Sequence, residues 1–116
     1  MKTLLKLEEA ALALLGVYAY DRLGAGWLVF LLLLFLPDLS MLGYLAGPRV
    51  GAFTYNLAHH KGLAVLVYLF GLWQAALNWQ IAGIILFTHS SLDRVLGYGL
   101  KHPDSFQNTH LGRIGR

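Results

Sequence analysis

The sequence predicts an all-α fold, an integral membrane antiparallel bundle of about four transmembrane helices with the N-terminus and C-terminus both cytoplasmic. Three observations carry this. Hydrophobic residues make up 57% of the 116-residue chain and charged residues only 13%, which is not the usage of a soluble domain. The apolar residues also come in runs too long for ordinary core helices, residues 27–36 being continuously apolar. Finally, the basic residues segregate. Lys2, Lys6, Arg49, Lys61, Arg94, Lys101, Arg113 and Arg116 all fall on the side of the termini, and only Arg22 falls opposite, the bias expected of cytoplasmic loops.

A spanning helix needs about 20 mostly apolar residues, because about 30 Å of hydrocarbon is crossed at about 1.5 Å per residue. The first helix is expected at 4–20. Lys2 and Lys6 before an apolar stretch raise the question of a cleaved signal. Glu8 and Glu9 at its start, and the lack of a small-residue cleavage pattern after it, favour a retained helix. Asp21, Arg22, Gly24 and Gly26 end it. The second helix is expected at 27–46, with Pro37 as a kink that frees the Leu33 carbonyl, and Gly47 and Pro48 end it. The third is expected at 50–73, the connection lies in 74–80 around Asn78, and the fourth runs 77–100. Trp27, Trp73 and Trp79 sit near these ends, where indoles favour the headgroup layer, and Tyr44 and Tyr98 would form the inner belt. Residues 101–116 form a cytoplasmic tail. The whole chain, 1–116, reads as a single domain.

The informative residues are those a membrane helix should not contain. Asp38 interrupts the second helix; Tyr55, Asn56, His59, His60 and Lys61 the third; His89, Ser90, Ser91, Asp93 and Arg94 the fourth. Counted from the inner ends at about 1.5 Å per residue, Asp38, His59, His60, His89 and Asp93 all lie about 10–16 Å deep. Helices running in alternating directions reach one level only if these residues occupy different offsets in each, as they do here. His89 and Asp93, four apart, share a helix face, and Asn56 and Tyr55 lie within reach of the His59 and His60 faces. His59 and His60 diverge by about 100°, so one of them is expected to point into the shared centre.

Charges at this depth cost several kcal/mol unless paired. Asp38, His59, His60, His89 and Asp93 are therefore candidate ligands of a divalent metal such as zinc, iron or manganese. Imidazole with carboxylate suits these ions, and the chain holds no cysteine to supply thiolates or disulfides. Three readings are open: a metal centre, a metal-free proton or substrate site, and a hydrogen-bonded network that fixes helix register. Asp38, His89, Asp93 and Arg94 are the candidate catalytic residues of a metal-dependent membrane hydrolase, with water activated by the cation. Arg94 or Lys61 would neutralise a phosphate, or Arg94 would pair with Asp38 or Asp93. Tyr55, Asn56, Ser90, His110 and Glu8 are candidate supporting residues, His110 by folding back from the tail. The net charge of +3 suits anionic membrane lipids rather than nucleic acid, and four short helices leave room for a homo-oligomer.

The stretches LPDLSMLGY at 36–44, YNLAHHKG at 55–62, HSSLDR at 89–94, GYGLK at 97–101 and THLG at 109–112 resemble a family of small integral membrane proteins, domain of unknown function 4260. The resemblance covers nearly the whole chain. It implies a bacterial-type multi-helix membrane protein and brings no activity with it; the expected location is the cell inner membrane, multi-pass. Pro37-Asp38 and His89-Ser90 are similar, more loosely, to steps in membrane-embedded metal-dependent hydrolases. His59-His60 invites comparison with histidine-box lipid hydroxylases, which use more histidines than the five present here. Against the hydrolase stands a metal ion or proton transport or binding protein, or a structural membrane subunit without catalysis. The outer halves of the helices offer almost no polar side chains beyond Thr88, which favours a one-sided site.

Overall fold

The computed structural model describes residues 2–97 together with 108–109 and 112–113. Helix α1 spans Lys2–Leu23, longer at both ends than the expected 4–20, because nothing in the Asp21-Arg22-Leu23 turn breaks a helix until Gly24 enters the left-handed region (φ 68°). Helix α2, Trp27–Leu34, is only the first part of the expected 27–46 segment. From Leu36 to Ala46 the chain continues as an unusually long 3-10 helix with Pro37 in its first turn. The kink foreseen at Pro37 is thus a change of helix type.

Helix α3 (Pro48–Ala58) and helix α4 (Lys61–Trp73) replace the single helix expected at 50–73. The break has a local cause. His60 is extended (φ −91°, ψ 116°), and its Nδ1 accepts the Leu63 N–H at 3.1 Å, so it caps a new helix instead of continuing the old one. Helix α5 spans Leu77–Leu96, and Gly97 in the left-handed conformation (φ 95°) ends it short of the expected residue 100. Strands β1 (Asn108–Thr109) and β2 (Gly112–Arg113) pair antiparallel, a small departure from an all-α description.

Helix α5 packs along both α1 and α4, while α3 packs on the 3-10 helix. Close approach depends on missing side chains: a Cβ at Gly16 of α1 would collide with Thr88, and one at Gly83 of α5 with the Tyr68 backbone. The apolar core gathers Tyr20, Phe30, Ile84 and Ile85, and the Tyr20 hydroxyl donates to the Gly26 carbonyl at 2.7 Å. The rest of the interior mixes small residues such as Ala13, Ala52 and Ala64 with polar ones. His59, Thr88, His89, Ser90 and Ser91 are buried, whereas leucines such as Leu14, Leu28, Leu32, Leu42 and Leu45 face outward. Residues Trp27–Ala46 form the one stretch among those described that is long and apolar enough to cross a membrane, and little of it is buried.

Candidate functional site

Among the described residues, Asp38, His59, His89 and Asp93 form the one group of carboxylates and imidazoles close enough to share an ion, with one ligand atom of each inside a 4.8 Å span. Asp38 comes from the 3-10 helix, His59 from the C-terminal end of α3, and His89 and Asp93 from one face of α5. His89 Nε2 lies 3.0 Å from Asp38 Oδ1 and 3.4 Å from Asp93 Oδ2; His59 Nε2 lies 3.4 Å and 3.2 Å from the same two oxygens. Ligand atoms about 2.1 Å from a common ion, subtending about 90–110° at it, stand about 3.0–3.4 Å apart. The four nitrogen–oxygen edges have that length, while the overall span of 4.8 Å is wider than the about 4.2 Å that two such bonds can bridge, so a bound ion would have to draw the groups slightly together.

The orientation of the rings comes from the backbone. His89 Nδ1 is 2.6 Å from the Leu34 carbonyl oxygen, which can only accept, so Nδ1 carries the proton. Leu34 O is available because Asp38 N–H bonds to Phe35 O at 3.2 Å instead of continuing the α-helical pattern, and the alternative 3-10 donor, residue 37, is a proline with no N–H. Pro37 therefore creates the acceptor that holds His89. His59 Nδ1 likewise meets the Tyr55 carbonyl at 2.9 Å, and the Tyr55 ring stacks on the imidazole at 3.8 Å and 12°. In their neutral forms both imidazoles then turn an Nε2 lone pair toward two carboxylates. Metal-ligating histidines are commonly held by this pattern, one nitrogen fixed by a carbonyl and the other aimed at the ion.

The break after α3 frees a second carbonyl. His59 O accepts from Ser90 Oγ at 2.5 Å and from Arg94 Nη2 at 3.2 Å, so α5 holds the backbone beneath the ligand. The Tyr55 hydroxyl donates to Asp93 Oδ2 at 3.3 Å. His59 Nε2 is buried without a hydrogen-bond partner. Four electron-rich atoms facing one another in a largely buried space require a positive charge, and a divalent cation would balance the two carboxylates. The Asp38 side chain is 38% exposed against 17% for Asp93, so the cluster opens to the surface on the Asp38 side.

The expected site residues separate accordingly. Asp38, His59, His89 and Asp93 converge, with Tyr55 and Ser90 supporting them. His60 does not belong: it is exposed and caps α4, because the helix turns away from the cluster there. Arg94 bonds the His59 carbonyl rather than a carboxylate of the cluster. Asn56 is half-buried on α3. Glu8 is exposed; its neighbour Glu9, about 100° around α1, pairs instead with Lys61. His110 lies outside the described residues. The Leu34 carbonyl escaped the sequence reading, although Pro37 was its signal; that reading placed the freed acceptor one residue earlier, at Leu33.

Residues 2–114 match a family described as Domain of unknown function (DUF4260), and the chain belongs to that family. No curated protein and no solved structure matches it.

Proposed function

We propose that this DUF4260 member is a metal-dependent membrane hydrolase that holds one divalent cation on Asp38, His59, His89 and Asp93 and acts on a lipid-like substrate. The observation that carries the reading is the convergence of two carboxylate oxygens with two imidazole Nε2 atoms whose opposite nitrogens are fixed by the Leu34 and Tyr55 carbonyls. With both imidazoles protonated the same contacts, such as His89 Nε2 to Asp38 Oδ1 at 3.0 Å, would be charged hydrogen bonds of a register-fixing network, and metal content separates the two readings. Zinc, iron and manganese all accept such a donor set.

When bound, the ion would polarise an ester or phosphoryl oxygen and lower the pKa of water at the site. Asp93, with Tyr55 donating to it, and His59 and His89, fixed by carbonyls, would form the rigid side of the centre. Asp38 forms its exposed edge, where substrate can approach. Arg94 lies one turn beyond Ser90 and would contribute positive charge toward a phosphate-bearing substrate.

The membrane setting is supported by the many outward-facing leucines and by the poorly buried apolar stretch Trp27–Ala46. The basic residues favour a multi-pass arrangement with both termini and the cluster toward the cytoplasmic leaflet. The test is elemental analysis of protein purified in mild detergent without added metal. The parent should retain stoichiometric metal, and His89→Ala and Asp93→Ala none. Equal trace metal in all three, with only thermal stability lost in the variants, would refute the proposal.

A further inference from the structure

An apolar groove ends about one helical turn short of the cluster along α5. Between α2 and α5 runs an open cavity of about 480 Å3 whose walls are apolar apart from Asn78. On the α5 wall, Asn78, Ala82 and Ile85 follow at steps of three and four residues, and the next turn on that stripe is His89. On the opposite wall Val29, Leu33 and Pro37 follow at steps of four, and the next residue is Asp38. Both walls therefore end close in sequence to a ligand of the cluster, one turn before His89 on α5 and one residue before Asp38 on the other side, and the α5 wall from Asn78 to Leu86 is about 12 Å long at about 1.5 Å per residue. A second recess, about 250 Å3 among α1, α4 and α5, is lined by Gly16, Ala64, Tyr68 and Ile84 among others; neither recess is lined by the four cluster residues, but only the first includes Pro37, the neighbour of Asp38.

Resting on the reading of the cluster as a divalent metal centre, we propose that the α2–α5 groove is an acyl-chain subsite. It would take one hydrocarbon chain along the helices and bring the anionic or ester head of the same molecule to the Asp38 edge. The occupant must be apolar along most of its length and polar at one end, since the groove offers apolar walls for two to three turns and then four charged or imidazole groups. Lipid tails are as apolar as the walls, so exchanging a bulk chain for a substrate chain gains little by itself. Selection would come from the head meeting the cluster and from close packing of the chain. A headless chain should therefore show no preference for the groove.

The experiment uses the full chain in phosphatidylcholine nanodiscs and two photolabels, a long-chain fatty acid with a mid-chain diazirine and the corresponding alcohol. Labelled peptides are mapped by mass spectrometry and metal is measured in the same samples. The fatty acid should label Leu33, Ile81 and their neighbours about tenfold more than the alcohol does, the ratio that about 1.4 kcal/mol of head-group contact gives. Ala82→Phe, which fills the groove from α5, and Val29→Trp, which fills it from α2, should both abolish that excess with metal content unchanged. His89→Ala should remove the metal and lower fatty-acid labelling to the alcohol's level. Labelling spread equally over outward leucines such as Leu28 and Leu45, in a protein that retains its metal, would overturn the subsite and leave the metal reading standing. Groove labelling that both filling variants abolish, in a parent without metal, would support the subsite and overturn the metal reading.

Discussion

Replacing Pro37 with alanine should weaken metal binding without touching a ligand. The substitution supplies an N–H at position 37, and in the local 3-10 pattern its acceptor is Leu34 O, the atom that now takes the His89 Nδ1–H at 2.6 Å. The imidazole then shares or loses its anchor, and with it the fixed direction of Nε2 toward Asp38 and Asp93. Loss of such a supporting bond costs about 10–100-fold in metal affinity, or about 1.4–2.7 kcal/mol. The assay is a competition titration of purified parent and Pro37→Ala against a zinc-binding indicator, with circular dichroism to show that helix content is kept. Stoichiometry should stay the same while Kd rises at least about tenfold. If Asp38 were displaced instead, stoichiometric binding would vanish as in Asp38→Ala. A Kd equal to the parent's would refute the link between the proline and the histidine.

Three further outcomes follow from the same geometry. His59→Ala should abolish stoichiometric metal, whereas His60→Ala should retain it and cost only a helix cap, about 0.5–1 kcal/mol by thermal unfolding in detergent. Gly16→Val should push α1 off Thr88 of α5 and lower the melting temperature more than Leu14→Val, whose side chain faces outward on the same helix; a smaller shift would refute the close packing of α1 on α5. Reporter fusions after residue 47 should report cytoplasm and fusions after residue 24 the outside; the opposite pattern would overturn the cytoplasmic placement of the cluster.

The four converging residues were legible because charge and imidazole are expensive in an apolar chain, and because counting along helices of alternating direction brought Asp38, His59, His89 and Asp93 to one level. Spacing alone could not choose between His59 and His60. That choice is made by the helix break between α3 and α4, which lies inside a region whose hydropathy reads as continuous. The polar run Asn56, His59, His60 and Lys61 was the available signal, and it was read as side-chain chemistry rather than as a backbone boundary. Glu8 was named where Glu9 makes the contact with Lys61, since one residue of helical phase is about 100° and sequence does not fix rotation. The caps on the His59 carbonyl, Ser90 and Arg94, depend on that break and were invisible until it was seen.

The 3-10 helix and α3 make their extensive contact with each other, and their ties to α5 are largely the site itself: Asp38 to His89, His59 and Tyr55 to Asp93, and Ser90 and Arg94 to the His59 carbonyl. If the cluster holds an ion, docking of residues 36–58 would be cooperative with its occupancy, and the segment would act as a flap, a local opening unit distinct from the α1–α4–α5 body. An ion that binds only the docked arrangement raises the opening free energy of the flap by about 2.7 kcal/mol at a hundredfold excess over its Kd. Amide exchange in 36–58 should slow by that amount on metal addition, while the middle of α1 should hardly respond. The concentration of free metal would then set how long the flap stays shut, and so the lifetime of whatever lies beneath it.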